Sequence, residues 1–180
     1  MSLIDKTYFV LDINVPDGTH SQLAAYITRY EKEVLMRLLT PDLYDLVAAY
    51  DSGTSEQRIK DLVEGKDYTV DGYTVRWNGL INSDKSSLIS FYVYYHYVKS
   101  LASLLMPVGN VKPSQENSGR ADVSQKLQTA WHSFRELAGY PGQPLLRPSL
   151  YNFLAEHEDD YPEWEVETVE HFGNINAFDI

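Results

Sequence analysis

Apolar side chains recur at three- and four-residue steps along much of this chain, which is the spacing of helices with one buried face. The clearest case is residues 23–38. The same spacing predicts four more helices, over about 41–50, 54–64, 120–138 and 148–158. Pro41 suits a first helical turn, and Gly65 and Gly139 suit the residue that follows a helix. Most of the chain is therefore predicted to be helical.

Residues 88–106 differ from the other segments, because they are apolar on every side of a helix and hold five aromatic residues within seven positions. Such a helix is usually the central element of a packed domain. We predict a helix over about 83–106. Its most buried stripe should contain Phe91, Tyr95 and Val98. Polar residues interrupt the segment, so it is not expected to span a membrane.

The strongest local signal is a β-hairpin at about residues 68–77, where two Tyr-Thr-Val runs flank Asp71 and Gly72. Asp-Gly is favoured in two-residue hairpin turns because both positions accept a positive φ. We expect this hairpin to extend from the helical body and to be available for contacts. Residues 8–15 are predicted to be extended, and residues 108–119 to form a polar loop.

These elements predict a fold class that is mainly α: a single-domain helical bundle over residues 1–180 with one inserted β-hairpin. A chain of 180 residues can bury a sizeable core without covalent cross-links. It contains no cysteine, so disulfides, thiolate metal sites and cysteine nucleophiles are excluded. The first residues lack a basic start followed by a long apolar run, so we do not expect a signal peptide.

Charge is distributed unevenly along the chain. The C-terminal region, residues 148–180, contains nine acidic residues and no lysine or arginine, whereas the first 147 residues have a net charge of −2. A field of that sign repels phosphate backbones, so we predict no direct contact with nucleic acid. The acidic region either forms a solvated end that aids solubility or matches a basic surface on a protein partner.

Two segments are predicted to make contacts with other proteins. The first is the hairpin turn, and the second is the acidic end, where aromatic residues could anchor an interface while the carboxylates steer the approach of a basic partner. The candidate interaction residues are Asp71, Gly72, Glu163, Trp164, Glu165, Glu167 and Glu170.

The chain shows no motif of catalysis, metal binding or cofactor binding. Its histidines lack the spacing of a zinc helix, no serine lies in a Gly-x-Ser-x-Gly turn, and no glycine-rich loop precedes a helix. His96 is predicted to be a core histidine rather than a ligand. We therefore predict a protein that is not an enzyme and that has no cofactor. The less favoured alternative is a small-molecule enzyme or binder that uses a tyrosine-lined interior.

Four strings occur in an order that resembles a family of small phage and prophage proteins of Bacteroidetes. They are AAYITRYEKEVLMRLLTPDLYDL (24–46), DYTVDGYTVRWNGLINSDKSSLISFYVYYHYV (67–98), KLQTAWHSF (126–134) and NINAFDI (174–180). The resemblance extends over most of the chain. Members of this family are similar to the head–tail connector or neck-adaptor proteins of phages.

The resemblance implies a structural protein that acts through protein–protein contacts, with portal or tail components as partners and a homo-oligomeric ring as its assembled form. It implies a location in the cytoplasm of the bacterial host during assembly, and in the virion if the gene is phage-borne. The alternative is a protein-interaction module outside the virion, such as a regulator or a host-factor binder. We predict no membrane partner.

Overall fold

The computed structural model describes residues 2–15, 22–102, 104–106, 109–111, 123–167 and 169–175. The helices within these residues are α1 (Leu23–Leu38), α2 (Pro41–Ala48), α3 (Gln57–Glu64), α4 (Leu88–Ala102), α5 (Val123–Ala138) and α6 (Leu150–Glu156). The strands are β1 (Lys66–Val70), β2 (Tyr73–Trp77), β3 (Leu104–Met106) and β4 (Gly109–Val111). The predicted fold class, mainly helical with an inserted hairpin, is confirmed.

The short helices keep their predicted apolar faces but have different ends. Thr40 adopts the extended conformation of a residue that precedes a helix, and Pro41 occupies the first turn of α2. The helix predicted over 54–64 begins later, at Gln57. The Asp51 carboxylate explains the delay, because it accepts hydrogen bonds from the backbone N–H groups of Gly53 and Thr54 and holds them in a turn.

Helix α4 is the central element, as predicted, and packs against α1 on one side and α5 on the other. Its predicted stripe is wrong. Phe91 and Val98 are only half-buried, although Tyr95 is buried. The most buried side chains, exposed by at most 1%, are Leu88, Ile89, Ser90, Tyr92, Val93 and Tyr97. Because nearly every position of α4 is apolar, periodicity could not identify which side faces both neighbouring helices.

The hairpin of β1 and β2 is confirmed, with Tyr68 opposite Val75. Both turn residues have a positive φ, 50° at Asp71 and 82° at Gly72. The expected extension away from the body is wrong. One face of the hairpin is buried in the core, and Trp77 stacks on Phe153 of α6 with ring centroids 5.8 Å apart. An isolated two-stranded ribbon is marginally stable in water, and this packing supplies the support that it needs.

The N-terminal residues do not form the predicted extended segment. They form two turns of 3₁₀-helix, Lys6–Tyr8 and Leu11–Ile13, which carry apolar side chains into the core. The buried carboxylate of Glu31 on α1 anchors this segment: it accepts hydrogen bonds from the Ser2 hydroxyl and from the backbone N–H groups of residues 3 and 4, at 2.8–3.1 Å.

A second pair of strands, β3 and β4, occupies part of the chain where the end of a helix and a polar loop were predicted. The helix ends at Ala102, and Leu104 pairs with Val111 in an antiparallel register. The remainder of the loop predicted over 108–119, and the first residues of the helix predicted over 120–138, lie outside the described residues.

Candidate interaction surface

The acidic C-terminal segment crosses the helical body without forming a helix or strand of its own. After α6 and a turn of 3₁₀-helix at Glu158–Asp160, residues 161–167 and 169–175 contact α3, α1 and then α5. We call these residues the strap. Its three large rings, Tyr161, Trp164 and Phe172, are buried, so the strap is docked rather than loosely attached.

The first half of the strap is held in place by a bidentate ion pair. The Arg58 guanidinium on α3 donates two hydrogen bonds to the Glu163 carboxylate, at 2.7 and 2.8 Å. These hydrogen bonds lower the pKa of Glu163. The Tyr161 hydroxyl donates to the Arg58 carbonyl at 2.6 Å, and the Thr40 hydroxyl donates to the Glu163 carbonyl at 2.5 Å. Both partners of the ion pair are about a quarter exposed, so solvent screens it in part.

The second half of the strap is fixed by a similar ion pair on α1. Arg37 donates from Nε and Nη2 to the two oxygens of Glu170, at 2.6 and 2.5 Å, and these hydrogen bonds lower the pKa of Glu170. The Glu170 backbone N–H donates to the Arg37 carbonyl at 2.8 Å. Planar guanidinium and carboxylate groups matched in this way give geometric specificity as well as attraction.

Arg37 also connects the strap to the core helix. Its Nη1 donates to the Tyr92 hydroxyl at 2.5 Å, and that hydroxyl donates to Glu33 at 2.8 Å. Burial, followed by the hydrogen bond to Glu33, raises the pKa of Tyr92, so the phenol stays protonated. The Arg37 guanidinium also lies over the Phe172 ring, 4.4 Å from its centroid. One arginine thus joins α1, α4 and the strap.

The strap lies in a groove with an aromatic floor and cationic walls. The Phe172 ring lies 4.9 Å from that of Phe134 and 5.8 Å from that of Trp131. The indole N–H of Trp131 donates to the Gly173 carbonyl at 2.9 Å. We call this surface the strap groove. Its main contact residues are Arg37, Leu38, Arg58, Trp131, Phe134 and Arg135.

The predicted interaction residues are held in different settings. Glu163, Trp164 and Glu170 contact their own chain, with the Trp164 indole N–H donating to the Leu38 carbonyl at 3.2 Å. The side chains of Glu165 and Glu167 are exposed. Asp71 and Gly72 lie at the exposed hairpin turn, on a part of the fold that packs against α6 rather than against the strap groove. A role for these seven residues in binding a partner stays a prediction.

The strap's own partners were missed by sequence reasoning. Arg37 lies on α1 and Arg58 on α3, and the apolar spacing of these helices gives no indication that the two arginines hold the two glutamates. The partners are 133 and 105 residues apart in the chain, and no local pattern connects such positions. One feature of the sequence indicated distant ion pairs: within the chain, a segment with nine acidic residues and no lysine or arginine can form ion pairs with these basic residues only outside the segment.

His96 lies among aromatic rings, as predicted for a core histidine. Its imidazole stacks on the Tyr30 ring at 4.3 Å with an interplanar angle of 11°. Burial lowers the pKa of His96 from its ordinary 6.5 to about 4, so the ring is neutral at pH 7. Within the described residues, no group of three or more histidine, aspartate or glutamate side chains is arranged to hold a metal ion.

The tyrosines of α4 do not line a cavity. Tyr92, Tyr94 and Tyr97 are exposed by at most 3%, and their rings pack against the protein's own side chains. Two shallow clefts lie elsewhere: one beside Trp77 and Leu137, with a cavity volume of about 0 Å³, and one between α6 and the strap, with about 10 Å³. Drug-sized ligands usually occupy pockets of about 300–1,000 Å³. Among the described residues, no helix is long and apolar enough to cross a membrane.

Comparison with known proteins identifies a family for this chain. No curated protein and no solved structure matches the chain. The model of the DUF6712 family, a family of unknown function, matches residues 35–138, which run from the last turn of α1 through the hairpin and α4 to the end of α5. The match includes Arg37, Arg58 and Trp131 of the strap groove, whereas the strap lies beyond it. Because more than half of the chain is matched, this protein belongs to the DUF6712 family.

Proposed function

We propose that this protein is a phage- or prophage-derived structural protein, a head–tail connector or adaptor that acts through protein–protein contacts. The observation that carries the proposal is the band of exposed acidic side chains around the strap. Its members are Glu156, Glu158, Asp159, Asp160, Glu165 and Glu167. With no lysine or arginine after Arg147, this band is suited to a basic protein surface.

The packing of the interior also supports a contact role. The aromatic residues of α4 are used to build the core, and among the groups exposed at the surface are the carboxylates of the C-terminal region and a hairpin turn. We propose portal or tail components as partners and a ring of several copies as the assembled form. The protein would act in the cytoplasm of the bacterial host and, if phage-borne, in the virion.

The test begins with the neighbouring genes, because a portal, capsid or tail gene beside this one identifies the partners to purify. Association of the full-length protein with those partners is then measured at low and high salt. A Glu158→Gln/Glu167→Gln variant should associate more slowly at low salt than the native protein, and the difference should shrink at high salt as the screening length falls from about 10 Å at 0.1 M to about 3 Å at 1 M.

The matched control is Glu163→Gln/Glu170→Gln, which removes the same charge but from residues that are paired inside the chain. If both variants slow association equally, overall charge rather than the exposed band is responsible. A metabolic operon around the gene, or no binding to any phage structural protein, contradicts the proposal. Recovery of a bacterial host protein in place of virion proteins would favour the module outside the virion.

A further inference from the structure

We propose that the strap groove is also a docking site for the strap of a second copy of this chain, so that two molecules associate by exchanging straps. The strap has no helix or strand of its own, and it is joined to the body through a single short turn after α6. Exchange of an identical segment between copies is a low-cost route to association, because the interactions broken within each chain form again between the two chains.

The contacts between strap and groove are complete in themselves. The strap contributes Glu163, Trp164, Glu170 and Phe172, and the groove contributes two arginines and an aromatic floor. None of these contacts requires that the two sides belong to the same molecule. A strap from a second copy can therefore make the same bidentate ion pairs, and its aromatic rings can occupy the same positions in the groove.

The occupant is identified by the chemistry of the groove. Besides their contacts with Glu56 and Glu33, the two arginines bind two strap carboxylates. A large ring lies close to each of these carboxylates in the sequence: Glu163 is followed directly by Trp164, and Glu170 precedes Phe172 by two residues. This chain carries that pattern, and the structure shows it seated in the groove. A second copy of the chain therefore carries a segment that the structure already shows bound in this groove.

The hinge for such an exchange is the turn at Glu158–Asp160. Its three acidic side chains are consecutive and exposed, and the turn is a single short piece of 3₁₀-helix. Like charges on neighbouring positions repel one another, and an extended chain separates them further than a tight turn does. Opening the turn therefore relieves repulsion while it swings the strap away from its own groove.

The proposal does not rest on the phage role, because it requires only this protein. The experiment uses two full-length variants with reversed charges. One carries Arg37→Glu and Arg58→Glu, so that its groove repels its own strap. The other carries Glu163→Arg and Glu170→Arg, so that its strap repels its own groove. When the two are mixed, a strap and a groove with opposite charges at these four positions can meet only between chains.

We expect each variant alone to sediment as a monomer and the equimolar mixture to sediment mainly as a heterodimer. The control carries all four substitutions in one chain, which restores the ion pairs within the molecule, and it should behave like the native protein. Circular dichroism and urea unfolding of each variant verify that the helical body is intact. A mixture of folded variants that remains monomeric overturns the proposal.

The native protein gives an independent readout if either variant fails to fold. Its dimer fraction in sedimentation should rise with concentration after warming and slow cooling, which allows closed straps to open and re-dock. Addition of an excess of a synthetic peptide with the sequence of residues 158–175 should lower that fraction, because the peptide competes for the groove. A native protein that is monomeric at every concentration, or a dimer that the peptide leaves unchanged, also overturns the proposal.

Discussion

Helix α4 and the strap both bury aromatic rings beside α5, and they meet where Tyr92 faces Phe172, with ring centroids 6.0 Å apart. In α4 the backbone hydrogen bonds are made within the helix, so its side chains need only to be apolar and to fit. The strap has no such helical ladder. Several of its peptide groups find separate partners on the body, as when Thr40 donates to the Glu163 carbonyl and Arg135 to the Phe172 carbonyl.

Burial alone therefore does not determine how a segment is held in place. The rings of Tyr92 and Phe172 are almost equally hidden from solvent, at 0% and 6% exposure. Yet α4 is stabilised by many equivalent contacts, whereas the strap depends on a few specific ones. Segments of the second kind open at lower free energy than the global unfolding of the protein. Substitutions in the two regions should therefore differ in the size of their effect.

The largest effect should follow from Tyr92→Ala in α4. Truncating a fully buried aromatic residue leaves a cavity, and we expect a loss of about 3–5 kcal/mol in the free energy of unfolding, measured by urea denaturation. Tyr73→Ala is the matched control, because Tyr73 lies at the exposed end of the hairpin, and it should change stability by less than about 0.5 kcal/mol. A loss under about 1 kcal/mol for Tyr92→Ala would contradict the central role of α4.

Acid should weaken the α4 region over a defined pH range. The pKa of His96 is about 4 in the folded protein and 6.5 in its ordinary state, so the unfolded chain takes up the proton first as pH falls. The free energy of unfolding should therefore be highest above pH 6.5 and should decrease towards pH 4, by up to roughly 3 kcal/mol. His96→Phe should flatten this part of the profile. If the variant shows the same slope of unfolding free energy against pH, groups other than His96 cause the pH dependence.

A smaller effect is expected from Trp164→Ala in the strap. Because the strap can detach while the helices stay folded, the loss in global stability should be about 1–3 kcal/mol, less than for Tyr92→Ala. Native-state hydrogen exchange separates local from global opening. The Glu170 amide should exchange faster in the variant, while the amides of α4 should keep their protection. Equal acceleration at both places would mean that strap and body open together.

The smallest effects should come from the two ion pairs. Glu163→Gln and Glu170→Gln should each cost about 0.2–1 kcal/mol at pH 7, with the smaller loss at Glu170, whose side chain is 48% exposed. Because both glutamate pKa values are lowered in the folded state, this stability is present above the ordinary glutamate pKa and is lost as pH falls through the lowered values.

Thermal unfolding of native and variant proteins between pH 7 and pH 3 checks the sign, since the native advantage should vanish at the acid end. Glu167→Gln is the control, because its side chain is exposed, and it should leave the profile nearly unchanged. A native advantage that persists unchanged at pH 3 would show that the hydrogen bonds, rather than the charges, hold the strap.

The helices and the hairpin could be predicted because their signals are local. The spacing of apolar residues located α1, and the Asp71–Gly72 pair located the turn between β1 and β2. The N-terminal segment was mispredicted because its apolar residues also suit two short turns of 3₁₀-helix, which bury Tyr8 and Ile13 and leave Leu11 exposed.

The strap could not be predicted, because its structure depends on partners far away in the chain. Its sequence shows charge and aromatic content but no period, so it was interpreted as an acidic end that is either solvated or matched to a basic partner. The pairing of Glu163 with Arg58 is decided by the fold that brings α3 beneath the strap. The same holds for Glu31, whose carboxylate interrupts the buried apolar face of α1 and is accommodated there because the N-terminal residues fold over it and donate hydrogen bonds to it.

The separation of 133 residues between Arg37 and Glu170 also means that the two residues are synthesised at different times. At roughly 5–20 residues per second, about 7–27 s pass on the ribosome between the emergence of the arginine and that of its partner. Glu31 meets its partners at once, since residues 2–4 precede it. During this interval the helices of the body can assemble, while the strap does not yet cover Trp131, Phe134 and the arginines of the groove. The nascent protein is therefore most prone to association just before the strap docks. A chaperone or an assembly partner has several seconds in which to bind the exposed groove before the strap does.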